Sequence, residues 1–258
     1  MNTVAFPYTS DALRPLTVTL SALSPLQGLA DPLIVVDRSG WTPATDLVNG
    51  SRLPDLLEDA RKRWSAAPHA AATLAWKSYS YWLAMPAVLS WAVARRVPVM
   101  DAENVLVRFG SGSPLLKIGL RTSSVVVLPD DPLAHSGLPG VSVAADEEIL
   151  LKTLRVGLLE HHLDPLSERI RQDVKVGPRT LLGSVASGIA YAVIRAGDVL
   201  PGSTTATVNT LLQALSLDDL VDLIPGARDE PGVLRKTCCL AFTLPEPKIC
   251  TGCCLRSV

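Results

Sequence analysis

Val105-Leu106-Val107-Arg108-Phe109, Leu115-Leu116-Lys117-Ile118-Gly119-Leu120 and Ser123-Ser124-Val125-Val126-Val127-Leu128 are three short, largely apolar runs a few residues apart. Between them Gly110-Ser111-Gly112-Ser113-Pro114 and Arg121-Thr122 supply turn residues, so the stretch predicts an antiparallel β-meander. Pro129-Asp130-Asp131-Pro132 ends it, and Pro139-Gly140 extends the loop. On either side the apolar period lengthens to that of helices. Leu56, Leu57 and Ala60, with Asp55, Glu58, Arg61 and Lys62 opposite, predict an amphipathic helix over 53–64. A second helix is expected over 70–97, holding Trp76, Trp82, Trp91, Tyr79 and Tyr81, which read first as core packing. Beyond the meander, helices are expected from Asp146 to about Leu163, with acidic residues at the positive end, and from Leu166 to Asp173 after Pro165. Two more are expected from Pro178 through Ala196 and from Thr204 to Leu217. Upstream, Pro32-Leu33-Ile34-Val35-Val36 reads as a strand among Pro-, Ser- and Thr-rich loops. Helices packed around an antiparallel meander make the fold class α+β.

The 258-residue chain is 48% hydrophobic and 19% charged, a composition for a folded body with a sizeable core. Lys and Arg number 24 against 25 Asp and Glu, so no electrostatic footprint for a polyanion exists and nucleic acid is not an expected partner. Met1–Pro7 has neither the basic start nor the apolar core of a secretory signal. The Ser78–Ala94 stretch, interrupted by Pro86 and three serines, reads as a buried helix with at most peripheral membrane contact. A cytoplasmic location is the expectation.

Several catalytic signatures fail on spacing. Glu160-His161-His162 lacks the one-turn histidine separation of a zinc helix, Gly110 and Gly112 precede another strand instead of a helix N-terminus, and no Gly-x-Ser-x-Gly elbow occurs. Gly183-Ser184-Val185-Ala186-Ser187-Gly188 reads as a face for close helix packing.

The cysteines stand apart. All five, Cys238, Cys239, Cys250, Cys253 and Cys254, fall in the last 21 residues. In a reducing compartment such a cluster points to metal or redox work. Four thiolates complete the ligand set of a [2Fe-2S] cluster or a structural zinc. Cys250-Thr251-Gly252-Cys253 suits either. The adjacent Cys238-Cys239 pair can join one site only if the chain bends there, and two bridged irons are a broader target than one ion; iron-sulfur is favoured, with zinc or free thiols the alternative. Leu240, Phe242 and Leu244 before Pro245-Glu246-Pro247 predict a strand and turn returning to the site. Arg235 and Lys236 either favour thiolate and dock an acidic electron donor or form a solvated strand end.

Arg235-Lys236-Thr237-Cys238-Cys239-Leu240 followed by Cys250-Thr251-Gly252-Cys253 resembles the carboxy-terminal signature of the FhuF-type ferric siderophore reductases. The aromatic helix around Trp76 to Trp91, His162-Leu163-Asp164-Pro165-Leu166 and Leu181-Leu182-Gly183-Ser184 look like landmarks of that family in the same order. Leu182 and Ser184 stand where many members have Trp and Asn, and Cys254 where Pro is frequent. The resemblance implies a cytoplasmic [2Fe-2S] protein that passes one electron to Fe(III) in an imported, often hydroxamate, siderophore, releasing Fe(II). It implies Cys238, Cys239, Cys250 and Cys253 as cluster ligands, with no catalytic side chain separate from the cluster. The expected organisation is a siderophore-binding body over 1–230 and a small [2Fe-2S]-binding lobe over 231–258. No flavin or nicotinamide fingerprint occurs, so a separate ferredoxin or flavoprotein is the expected electron donor.

Overall fold

Apolar residues surround one long helix on every side, and the architecture is arranged about it. A computed structural model describes residues 12–110, 114–226 and 231–255. Helix α1 (Arg14–Ala22) is followed by strands β1 (Leu29–Ile34) and β2 (Thr42–Pro43), the short α2 (Thr45–Val48) and α3 (Leu53–Trp64). In α3 the buried Leu53, Leu56 and Ala60 form the predicted stripe, and the predicted limits of this helix hold. Helix α4 (Pro68–Ala94) buries residues all round, including Trp76, Tyr79 and Trp91, as a helix does when its neighbours cover every face. It ends three residues before the predicted Val97. Arg95 turns left-handed at φ 51° with its N–H on Trp91 O, and its guanidinium lies 4.2 Å over the Trp91 ring. Val97–Pro98 then forms strand β3. Among the described residues no helix is long and apolar enough to cross a membrane.

The meander forms only in part. Strands β4 (Val105–Phe109) and β5 (Leu116–Leu120) pair antiparallel as expected, and β1 adds parallel to β5 and β2 antiparallel to β4. Residues 111–113 of the predicted connecting turn lie outside the described residues. The third run, β6 (Val125–Val127), leaves for a second sheet between β3 and β7 (Val141–Val143), antiparallel to the first and parallel to the second. Asn104 explains the departure. Its Oδ1 accepts from the Thr122 N–H and hydroxyl, and its Nδ2 donates to Val99 O, so the Arg121-Thr122 corner is fastened beside β3. The fold is α+β with mixed sheets.

Asp146 caps α5 (Glu147–Arg155), accepting from the Ile149 N–H. The helix does not stop at Pro165. It passes through a π-helical turn (Val156–Leu163) into α6 (Asp164–Asp173), with Pro165 in the first turn of the latter. The π turn carries His162, which is fully buried; His161 stays exposed. His162 Nδ1 lies 2.7 Å from Met100 O, an acceptor only, so Nδ1 carries the proton and Nε2 accepts from the Tyr79 hydroxyl at 2.6 Å. Burial lowers the His162 pKa to about 4 and raises that of Tyr79, so both are neutral near pH 7.

Helix α7 (Pro178–Arg195) lies along α4 through its small residues, and Trp76 Nε1 on α4 donates to Leu181 O on α7 at 2.8 Å. Helix α8 (Thr204–Ala214) packs behind α7 and leads to the antiparallel pair β8 (Val221–Pro225) and β9 (Pro231–Arg235). Strand β9 runs against α7 and delivers the chain to the cysteines.

Candidate metal centre and adjoining cleft

The cysteine segment is fastened to α4, α7 and β9 by bonds that residue type alone does not announce. At the end of β9 the Arg235 N–H donates to Gly252 O at 2.9 Å, and the Lys236 N–H to Leu220 O at 3.0 Å. Gly252 sits so close to Val233 O and the Tyr191 hydroxyl that a Cβ would collide with both. The hydroxyl of Thr73 on α4 donates to Cys239 O at 2.9 Å, fixing the adjacent pair. Gly183 on α7 leaves room for Thr237, whose side chain would otherwise meet its Cβ.

The bend required by adjacent cysteines is present. Leu240 is left-handed at φ 60° and donates its N–H to Cys238 Sγ at 3.3 Å. The predicted strand beyond is a single 3₁₀ turn, Ala241–Thr243, because the left-handed Leu240 folds the chain back and Thr243 Oγ1 donates to the Leu240 carbonyl at 2.7 Å. In the Cys250–Cys253 loop the Cys253 N–H donates to Cys250 O at 3.1 Å.

All five thiols are reduced and gathered in one region, Cys239 and Cys253 buried and the others half-buried. Burial pushes the Cys250 thiol above its usual pKa, and Cys239 and Cys253 add to the rise; Lys77 and Arg235 oppose it. Cys254 is raised by burial and by Cys238, with which it shares a hydrogen bond, and by Cys253. Cys250 thus has Cys239 and Cys253 as electrostatic neighbours, and Cys254 has Cys238 and Cys253. Among the described residues no three such side chains converge on the position of a single ion.

Arg235 and Lys236 part company. Lys236 is exposed and paired with Asp222 at 2.7 Å. Arg235 is 2% exposed; Nη2 donates to Ser184 Oγ at 3.0 Å, but among the described residues Nε and Nη1 have no partner. A buried guanidinium with no carboxylate is costly unless an anion completes its surroundings, and the side chains whose pKa it lowers are Tyr191, Cys250 and Cys254. A metal centre held by thiolates is anionic. The donor set fits such a group: four thiols, a backbone N–H on one sulfur and a buried cation beside them.

Next to the thiols a cleft of about 700 Å³ opens between α4 and α7. Trp64, Tyr81, Trp82 and Tyr191 form apolar walls; Lys77, Arg195, Ser184 and Ser187 supply polar groups, and Cys250 and Thr251 reach its surface. Tyr191 is kept protonated by burial and by Cys250. Sequence reading missed this cleft. The available signal was Lys77, a lone cation amid the aromatic helix.

The family model of the ferric iron reductase FhuF-like transporter matches residues 74–221, from α4 to the start of β8. The match ends before the first cysteine. No curated protein matches the chain. Among solved structures, ATP-bound aerobactin synthetase IucA from a hypervirulent pathotype of Klebsiella pneumoniae is similar with a TM-score of 0.50 and 16% identity. The alignment covers 67% of this chain and 31% of the synthetase, so the chain spans about a third of that protein, and the likeness concerns the fold alone. With more than half of its residues inside the matched region, from the aromatic helix through the glycine-bearing α7, this chain belongs to the ferric iron reductase FhuF-like family.

Proposed function

We propose that the chain is a ferric siderophore reductase in which Cys238, Cys239, Cys250 and Cys253 hold a [2Fe-2S] cluster. The observation that carries the reading is the buried guanidinium of Arg235, without a carboxylate among the described residues, beside a gathered set of thiols at the edge of a cleft that Cys250 reaches. Such a cluster supplies single electrons at a potential set by hydrogen bonds and charge around its sulfurs. The chain's own residues then have definable tasks. Arg235 and the Leu240 N–H stabilise negative charge on the sulfurs; Thr73 and Gly252 hold the two cysteine pairs in place; the aromatic walls hold the organic shell of the chelate and exclude water. One electron passed to Fe(III) yields Fe(II), which hard oxygen ligands such as hydroxamates hold less tightly. Residues 231–258 are the metal-binding segment on a body formed by 1–230, working in the cytoplasm with electrons from a separate ferredoxin or flavoprotein.

A zinc-stabilised interaction protein is the second reading, favoured by the general metal-loop spacing of Cys250 and Cys253. The adjacent Cys238-Cys239 pair favours the broader two-iron centre over a single ion. Anaerobically purified protein should be coloured, with about two irons and two sulfides per chain and a paramagnetic signal only after one-electron reduction. Given a reductant, it should speed Fe(II) release from a ferric hydroxamate, read with an Fe(II) chelator. Colourless protein with about one tightly held zinc overturns the reading; a normal cluster without Fe(II) release leaves an iron-sulfur binding or sensor protein.

A further inference from the structure

We infer that the cleft between α4 and α7 selects ferric siderophores of net negative charge, with Lys77 and Arg195 as the recognising cations. The inference rests on the reductase reading and names the substrate class at that site.

The argument is one of charge. No Asp or Glu is among the residues lining the cleft, yet two cations are. Among the described residues Arg195 is hydrogen-bonded to neutral groups: the carbonyls of Leu23 at 3.1 Å and Pro25 at 3.3 Å, and the Tyr81 hydroxyl. Its positive charge is therefore positioned without being neutralised. Lys77 is half-buried on α4 and forms no ion pair with a carboxylate among the described residues. Other cations are paired with carboxylates, as in Lys236 with Asp222 and Arg179 with Asp219. Low-dielectric aromatic walls around cations that no Asp or Glu of the lining neutralises focus positive potential into the cleft. Fe(III) bound by three hydroxamates is neutral before side groups are counted, so pendant groups decide the net charge of the chelate. Carboxylate arms complement Lys77 and Arg195, and a protonated amine is repelled.

The test is calorimetric titration of the as-isolated protein with gallium(III) chelates, which keep the charge of the ferric complexes but cannot be reduced. The gallium complex of a citrate-bridged dihydroxamate should bind about tenfold tighter than that of a linear trihydroxamate with a protonated terminal amine, and the preference should shrink in high salt. Lys77→Gln should weaken the anionic complex by roughly three- to tenfold and leave the cationic one unchanged or improved, with Lys77→Arg restoring the preference. Equal or reversed affinities, absence of binding by both, or an equal loss of both in Lys77→Gln overturns the inference. Iron release separates this outcome from the parent reading. Tight binding of the anionic chelate without Fe(II) release from its ferric form refutes the reductase and spares the cleft assignment; release indifferent to chelate charge does the opposite.

Discussion

Replacing Arg235 with Gln separates a guanidinium that serves the thiols from one that only fills space. The side chain is 2% exposed, one nitrogen bonds to a neutral hydroxyl, and two nitrogens have no acceptor among the described residues. If the thiols hold an anionic cluster, the guanidinium is its nearest buried counter-charge and favours the addition of an electron. A unit charge a few Å from the sulfurs in an effective dielectric of about 20 contributes on the order of 2 kcal/mol. For a one-electron couple that is about 100 mV. Arg235→Gln should therefore lower the midpoint potential by something near 100 mV, and Arg235→Lys, which keeps the charge while losing the fork, should recover more than half of it. The assay is a potentiometric titration followed by the paramagnetic signal of the reduced centre, with the visible spectrum confirming that the cluster is intact. A midpoint that moves by less than about 20 mV in Arg235→Gln, or falls equally in the Lys and Gln variants, refutes the counter-charge argument.

Three further outcomes follow from the same geometry. Gly252→Ala places a methyl against Val233 O, a backbone atom that cannot swing aside, and strains the bond from the Arg235 N–H; a cost of about 2–4 kcal/mol is expected. Thermal unfolding should fall by roughly 5–15 °C with a loss of bound iron, and an unchanged melting temperature contradicts the placement of the loop. His162 titrates at about 4 in the fold against 6.5 when unfolded, so the unfolded chain binds the proton more readily and stability is lost as pH falls from 6.5 towards 4, by about 3 kcal/mol in all. Urea unfolding at several pH values should show this slope, and His162→Gln should flatten it whatever its own stability. Cys254→Ala should keep the visible spectrum of the cluster, and Ser at Cys238, Cys239, Cys250 or Cys253 should abolish or shift it; the converse result for Cys253 and Cys254 would reassign the fourth ligand.

What could be read from the sequence, and what could not, divides along the range of the interaction. The stripe of Leu53, Leu56 and Ala60 defined α3 because amphipathic periodicity is local, and Asp146 marked the start of α5 because a cap acts within one turn. The partner of β6 was not legible: a run of valines states that a strand exists but not which edge it joins, and that choice is made by the Asn104 side chain. Likewise Leu240, Phe242 and Leu244 alternate as a strand would, yet the left-handed turn at Leu240 takes precedence, since the Cys238 and Cys239 pair needs the bend. The thiols were found by spacing because the candidate ligands lie close together in the chain. The cleft was not, because it joins α4, α7 and the Cys250 loop across more than a hundred residues. Arg235 shows the limit most clearly: with Lys236 it reads either as a cation serving the thiols or as part of a solvated strand end, and only the packing of α7 against β9 decides that Lys236 meets Asp222 in water while Arg235 is closed in with the thiols. A buried charge of this kind is a poor contribution to stability on its own, and a thiolate-held centre, as proposed for these cysteines, is the counter-charge that would offset its cost.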